Sequence, residues 1–343
     1  MQKTQKNFKE SILDLSGSVV ALVYTFQNEE APGFTHYEFW KSEVITAWLS
    51  AVEEIGCKPY ILDVKTFMMK ASMGTLPHID YCINLNAGNN NVDNLCLVPA
   101  ICSFCGIPCI PCSAKACGVG EDKVYANLIA ESSKLKLPKT YPFNKDGGII
   151  RDRSLGSSVG IRLSSENTVC SDMEICQEFI VGTDMTIPIL FNPLSKQLEV
   201  LPAVAYKHDK GAKWFLDAKA KLTHSYEKVL VQLSKEAEQE VLSLAKKFDI
   251  TTYCRIDTRI KNFQFDRDSE VKLDDIYFIE INPTPTINNT INFALSLQNS
   301  KDNLPHKQLF NAYKNSVEKA SITGYILLCS LLAIKAKHFL SPG

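Results

Sequence analysis

The chain has 343 residues, 45% of them hydrophobic, which suffices for two or three domains with cores of their own and excludes a disordered or fibrous protein. Its 37 Lys and Arg balance 38 Asp and Glu to a net charge of −1, with no long run of either sign, so nothing marks a surface for nucleic acid or an anionic membrane. Residues 1–18 lack the apolar core of a secretory signal, and the apolar stretch Gly324 to Ile334 falls short of the roughly 18–20 residues that span a bilayer. A cytoplasmic protein with a packed C-terminal helix is the expectation.

In chain order, Val19 to Phe26 reads as a buried strand, Glu38 to Ile55 as an amphipathic helix, and Pro59 to Val64 and Ile79 to Leu85 as two more strands. Asn94 to Cys105 reads as a helix capped by Gly106, Ile107 to Ile110 as a strand, and Glu121 to Leu135 as a helix. This alternation predicts an N-terminal parallel α/β domain over residues 1–115. Shorter β-like runs follow at Thr140 to Phe143, Gly148 to Arg151, Gly160 to Leu163 and Glu174 to Val181, predicting a small central α+β domain over 116–182. Thr186 to Phe191, Leu198 to Tyr206, a helix from Ser234 to Phe248, Tyr253 to Ile260 and Ile276 to Ile281 predict a C-terminal α+β domain with antiparallel pairs over 183–343. No internal repeat or low-complexity linker separates the three.

Twelve cysteines are present, and Cys102, Cys105, Cys109 and Cys112 form a CxxCxxxCxxC run whose spacing suits zinc or an iron–sulfur centre. A helix end followed at once by a strand aims these sulfurs in different directions, so they read as small buried hydrophobes in a reducing compartment.

The segment Tyr277-Phe-Ile-Glu-Ile-Asn-Pro-Thr-Pro-Thr286 carries more chemistry. An apolar strand there delivers Glu280 and Asn282 on one face, two hard oxygen ligands suited to Mg2+ bridging phosphates. Tyr253-Cys-Arg-Ile-Asp-Thr-Arg259 adds Asp257 with Arg255 beside it; the plain alternative is a salt-bridged, solvent-facing side of two strands. Leu155-Gly-Ser-Ser-Val-Gly160, preceded by Arg151, is a small loop whose backbone NH groups and hydroxyls suit phosphate, although Gly-Ser pairs more often mark ordinary turns. Neither a dinucleotide fingerprint nor a GxxxxGK[ST] phosphate loop is present.

Taken in order, these pieces resemble the D-alanine:D-alanine ligase family of ATP-grasp enzymes from about Ile79 to Phe293. The residues carrying the likeness are Glu121-Asp-Lys123 after the Gly-Ile-Pro strand, the Gly-Ser-Ser-Val-Gly loop, Gln177-Glu-Phe-Ile-Val-Gly-Thr-Asp-Met-Thr186, Asp217-Ala-Lys219, Arg255-Ile-Asp257 and Glu280-Ile-Asn282. The resemblance implies the ATP-grasp fold, with the central domain as a lid. It implies ATP and two Mg2+ as cofactors, Mn2+ substituting. Lys123, Arg151 and Ser157 would meet phosphate, Gln177 with the backbone of Glu178, Phe179 and Ile180 would hold adenine, and Asp184 the ribose. Lys219 on a mobile loop would reach the γ-phosphate, Asp257, Glu280 and Asn282 would hold the metals, and Arg255 and Ser158 would face the reacting groups. The implied reaction joins a carboxylate to an amine through an acyl-phosphate, and the family resemblance admits a homodimer. Non-catalytic nucleotide binding and phosphotransfer are the competing readings.

Departures from the family pattern point to altered substrates. Arg151 stands where the family places a lysine, and Gln177 where it places an acid. The central domain is trimmed, with about ten residues in each of two gaps where the family fits a helix. The glycine-rich first loop is replaced by Thr25-Phe-Gln-Asn-Glu-Glu-Ala-Pro-Gly33, in which Glu29 or Glu30 is either an ammonium ligand or an exposed charge. Asn86, within Asn84 to Asn91, either contacts substrate or builds a turn, and Thr286 and Asn289 fall in the altered second-substrate pocket. A specialised amino acid or dipeptide ligase, as in secondary metabolism, is the resulting expectation, acting on small amino-acid-like substrates other than D-Ala plus D-Ala.

Overall fold

A run of apolar residues buried on both faces builds the first sheet. In a computed structural model, which describes residues 2–25, 42–87, 92–142, 145–154, 156, 158, 160–165, 168–211, 213–265, 270–288 and 292–338, strands Val19–Tyr24 (β1), Lys58–Asp63 (β2), Tyr81–Leu85 (β3) and Cys109–Ile110 (β4) pair in the order β2-β1-β3-β4. All three pairings are parallel. Along β1 the period of two is plain: Val20 and Leu22 join a core with helices Gln2–Leu15 (α1) and Ser42–Glu54 (α2), while Ala21 and Val23 face Val64–Ser72 (α3) and Val92–Phe104 (α4). Neither α1 nor α3 was expected from the sequence, although Asp63 caps α3 by accepting from the Thr66 amide at 3.0 Å.

The helix expected over Glu121 to Leu135 is Lys123–Ala130 (α6), preceded at once by a further helix, Ala114–Glu121 (α5), that was not expected. Asp122 breaks them: its backbone is extended, and its carboxylate accepts from the Val124 and Tyr125 amides, so it starts a new helix rather than continuing the old one. The Ser132 and Ser133 hydroxyls then donate to the Ile129 and Ala130 carbonyls as α6 ends.

The central segment forms an antiparallel sheet of Thr140–Tyr141 (β5), Ile149–Asp152 (β6), Arg162–Leu163 (β7) and Glu174–Gln177 (β8), in the order β5-β8-β6-β7. The third sheet contains Thr183–Asn192 (β9), Gln197–Val200 (β10), Ala203–Lys207 (β11), Glu227–Leu233 (β12), Tyr253–Ile260 (β13), Glu270–Val271 (β14) and Ile276–Asn282 (β15). Its order is β14-β12-β11-β9-β13-β15, with β10 also on β9, and all pairings but β12–β14 are antiparallel. The run Leu198 to Tyr206, expected as one strand, divides at Leu201-Pro202, where Leu201 N–H turns to the Pro188 carbonyl and proline has no N–H to donate.

Helices Ala218–Thr223 (α7) and Lys235–Lys247 (α8) accompany this sheet, and Asn292–Asn299 (α9), Pro305–Lys314 (α10) and Ile322–His338 (α11) end the described chain. Residues Tyr325 to Leu331 of α11 are fully buried, in a core shared with α1, α2, β1, β9 and β13. The expected packed helix is therefore the joint between the first and third sheets. No described helix is long and apolar enough to cross a membrane. Contrary to the expectation that all four sulfurs of the CxxCxxxCxxC run point apart, Cys102 and Cys109 come together, with Cys82 as the third, while Cys105 is exposed.

Candidate active site

The central and C-terminal sheets meet at a pocket lined by β6, β8, β9, β13, β15 and the start of α6. Two glycines permit the close approaches that shape it. A Cβ on Gly120 would lie 2.7 Å from Pro283 Cγ, so α5 seats directly on the end of β15. Gly182, at φ +156°, leads from the β8–β9 connection into β9, and a Cβ there would lie 2.1 Å from the Ile260 carbonyl oxygen.

Charged side chains that folding alone would keep in water are buried here. Lys123, Arg151 and Arg259 are 5%, 4% and 5% exposed, and each faces the pocket. Lys123 opens α6, where the helix dipole disfavours a cation, and its Nζ lies 3.7 Å from Glu280. Burial pulls the Lys123 ammonium below its ordinary pKa, with Glu280 opposing. Arg151 donates to Glu280 Oε2 at 2.5 Å, to the Ile279 carbonyl at 3.2 Å and to Gln177 Oε1 at 3.3 Å. Its Nε is buried without a partner among the described residues. Burial works to raise the Glu280 pKa, but Lys123, Arg151, Arg255 and Lys221 outweigh it and hold the carboxyl at about 2.

On the neighbouring strand, Arg255 clasps Asp257 with both arms, Nε to Oδ1 at 2.9 Å and NH2 to Oδ2 at 2.8 Å. Asp257 also accepts from Thr186 Oγ1 at 2.8 Å and from Asn282 Nδ2 at 3.0 Å. Desolvation opposes the Arg255 charge, yet Asp257 reverses that and keeps the guanidinium protonated. The antiparallel register sets Asp257 opposite Glu280 and Arg255 opposite Asn282. Two carboxylates and the Asn282 amide oxygen are a hard-oxygen donor set, which fits Mg2+ or Mn2+.

At the other end of the pocket, Gln177, Glu178, Phe179 and Ile180 run from β8 towards Asp184. Arg259, which the sequence reading left unassigned, ties this end together. It donates to the Ile180 carbonyl at 2.7 Å, to Gly182 at 2.6 Å, to Trp214 at 3.1 Å and to Asp184 Oδ2 at 2.7 Å, and its guanidinium lies 5.1 Å from the Phe179 ring centre. Asp184 Oδ2 also accepts from Leu216 N–H at 2.9 Å. The residues expected to hold base and ribose thus share one buried arginine. Its place was legible as the next alternate residue after Asp257 on β13, but no rule of spacing distinguishes such a clamp from a surface arginine.

Lys219 lies away from the pocket. It is exposed on α7, whereas Lys221 lines the pocket and donates to Ser158 Oγ at 2.7 Å. Residues two apart on a helix point about 200° from each other, so only one of the two lysines can face inward. Ser158, at φ +63°, in turn donates to the Leu216 carbonyl at 3.0 Å, joining the central-domain loop to the segment before α7. Asn86 is buried and outside this pocket's lining; its Oδ1 accepts from Thr25 Oγ1 at 2.8 Å and its Nδ2 donates to the Asn94 carbonyl. Its neighbour Asn84 has the buried amide nitrogen without a partner among the described residues. Thr286 is half-buried beyond β15 and outside the pocket lining, while Ser157, Glu29 and Asn289 lie outside the described residues. Tyr206 is a further lining residue, held by Asn292 Nδ2 at 2.8 Å.

No family model matches the chain, and no curated protein matches it in sequence. Solved structures do match. The D-alanine–D-alanine ligase of Bacillus anthracis is 15% identical, with 94% of this chain and 100% of that one covered at a TM-score of 0.60. The same enzyme complexed with ATP is 13% identical over 95% and 100%, at 0.61. The VanG D-Ala:D-Ser ligase of Enterococcus faecalis is 14% identical over 93% and 100%, at 0.56.

Proposed function

We propose that this chain, which has the ATP-grasp fold of D-alanine–D-alanine ligases, is an ATP-dependent ligase that joins a carboxylate to an amine and releases ADP and phosphate. The observation that carries the reading is the ring of Lys123, Arg151, Arg255 and Lys221 around Glu280, with Asp257 alongside. Four converging cations beside two carboxylates are costly to fold unless a polyanion accompanied by a metal completes them.

In this reading the nucleotide lies along the pocket. Its base meets the backbone of Glu178 to Ile180, its ribose meets Asp184 through the oxygen that Arg259 leaves free, and its phosphates reach Lys123, Arg151 and the Ser157–Ser158 loop. Asp257, Glu280 and Asn282 would hold Mg2+, which when bound neutralises phosphate charge. Lys221 takes the γ-phosphate role that the family resemblance implies for Lys219. A substrate carboxylate oxygen attacks the γ-phosphorus and ADP leaves; Arg255 then stabilises the oxyanion as the amine attacks the acyl carbon and phosphate departs. No side chain serves as a nucleophile. Positioning and charge stabilisation carry the rate.

The substrates proposed are small amino acids or dipeptides other than D-Ala plus D-Ala. The test is ADP and phosphate release with Mg2+ and ATP against pairwise pools of L- and D-amino acids, with product masses read in parallel. Amino-acid-dependent ADP with a condensed product supports the ligase. A stable phosphorylated substrate formed without an amine would replace it with a phosphotransferase. One observation favours a second, non-catalytic reading: Arg151 bonds Glu280 at 2.5 Å, satisfying a carboxylate that the metal would need. ATP binding without turnover across the pools is the outcome that reading requires.

A further inference from the structure

We propose that Cys82, Cys102 and Cys109 form a three-thiolate site for a soft d10 cation of the copper(I) class. Their Sγ atoms all lie within 4.8 Å of one another. With metal–sulfur bonds of about 2.3 Å, a trigonal set spaces its sulfurs about 4 Å apart, so small rotamer adjustments close the site.

The backbone holds the three in place. Cys82 and Cys109 are register partners on β3 and β4, and the Cys82 amide donates to the Pro108 carbonyl at 2.9 Å. Cys102 comes from α4, and its carbonyl accepts from Ile107 N–H at 2.8 Å as the chain turns back into the sheet. The surroundings are apolar: Ala21, Val23, Phe67 and Val98 pack in the same core. Cys82 and Cys102 are buried, and Cys109 is intermediate in exposure.

The donor count selects the ion. Structural zinc sites and iron–sulfur clusters call for four protein donors, and among the described residues no histidine, carboxylate or further cysteine joins this group. Copper(I) prefers thiolate and is content with three. Each sulfur that binds gives up its thiol proton, so up to three protons leave per ion and affinity rises with pH. Bound copper would staple α4 to β3 and β4 without touching the nucleotide pocket, so this site stands independently of the ligase reading. Cys117, which approaches both Cys96 and Cys112, makes no comparably compact group among the described residues.

The test uses the full chain, reduced, stripped with a chelator and titrated anaerobically with copper(I) against a chromogenic copper(I) chelator. One tight equivalent with near-ultraviolet thiolate-to-copper absorption and a raised Tm is expected. Cys102→Ser and, as a milder change at the partly exposed position, Cys109→Ser should each weaken that equivalent at least tenfold while keeping the wild-type circular dichroism. Cys105→Ser and Cys117→Ser should keep it. Wild-type protein without a tight equivalent, unchanged affinity in folded Cys109→Ser, or tighter binding of zinc(II) than of copper(I) would each overturn the proposal.

Discussion

Glu280 concentrates the electrostatics of the site in one carboxylate, held at about 2 by Lys123, Arg151, Arg255 and Lys221 against its own burial. In the ligase reading Glu280→Gln leaves these cations without their counter-charge and removes a metal oxygen, so kcat falls at least about 100-fold while circular dichroism is unchanged. Wild-type turnover in that variant at ordinary Mg2+ would remove Glu280 from the mechanism. Lys219 and Lys221 make a sharper pair. Lys221→Ala lowers kcat/KM about 100-fold through lost phosphate contact, whereas Lys219→Ala changes it less than about 3-fold, because Lys219 is exposed. The resemblance points to the segment Asp217-Ala-Lys219 as a mobile loop; it opens helix α7 instead, capped by Asp217, and the face that turns inward, with Lys221, is decided by contact with Ser158, not by local pattern. Asp257, Glu280 and Asn282 were legible because period two on a strand fixes a face without tertiary help.

At the scale of elements, the connection from β8 to β9 depends on Gly182. An alanine there drives its Cβ into the Ile260 carbonyl, so Gly182→Ala should lose about 2 kcal/mol or more in urea unfolding and raise the KM for ATP. Unchanged stability and KM would mean that this connection rearranges freely. The long, strongly patterned elements, β1, β13, α8 and α11, stand where hydrophobic periodicity put them. Those missed have specific reasons. Asp122 reads equally as a first-turn acid or as an N-cap, and its role is fixed by Arg153 at 2.6 Å as well as by the amides it accepts. The helix α3 has only Phe67 buried, so its apolar face was too narrow to signal itself. The strand β12 is mostly half-buried and mixes charge with apolar residues, which blurs alternation.

For the whole molecule, α11 and α10 lock the first sheet to the third. Glu54 of α2 accepts from the Tyr313 hydroxyl and from Ser321 N–H, and His306 sits between Tyr325 and the Leu190 carbonyl. Burial holds the His306 pKa at about 4, below its ordinary 6.5, with Glu199 opposing. The unfolded chain therefore binds an extra proton between those values, and the folded state loses stability as pH falls from 6.5 to about 4. The loss expected is on the order of 3 kcal/mol, and His306→Gln should flatten that slope; an unchanged slope in a folded His306→Gln would assign the titration elsewhere. This joint was invisible in the sequence because it pairs segments more than 100 residues apart.

The proposed ligase moves a carboxylate oxygen onto phosphorus, a step that isotope labelling follows atom by atom. The measurement is turnover of Mg2+-ATP with the productive amino-acid pair, the first substrate carrying 18O in its carboxylate, with released phosphate analysed by mass. One 18O per phosphate formed, together with the condensed product, is the predicted result. Phosphate without label, even with ADP accumulating, would mean that water and not a carboxylate accepts the phosphoryl group, and would contradict ligation through an acyl-phosphate.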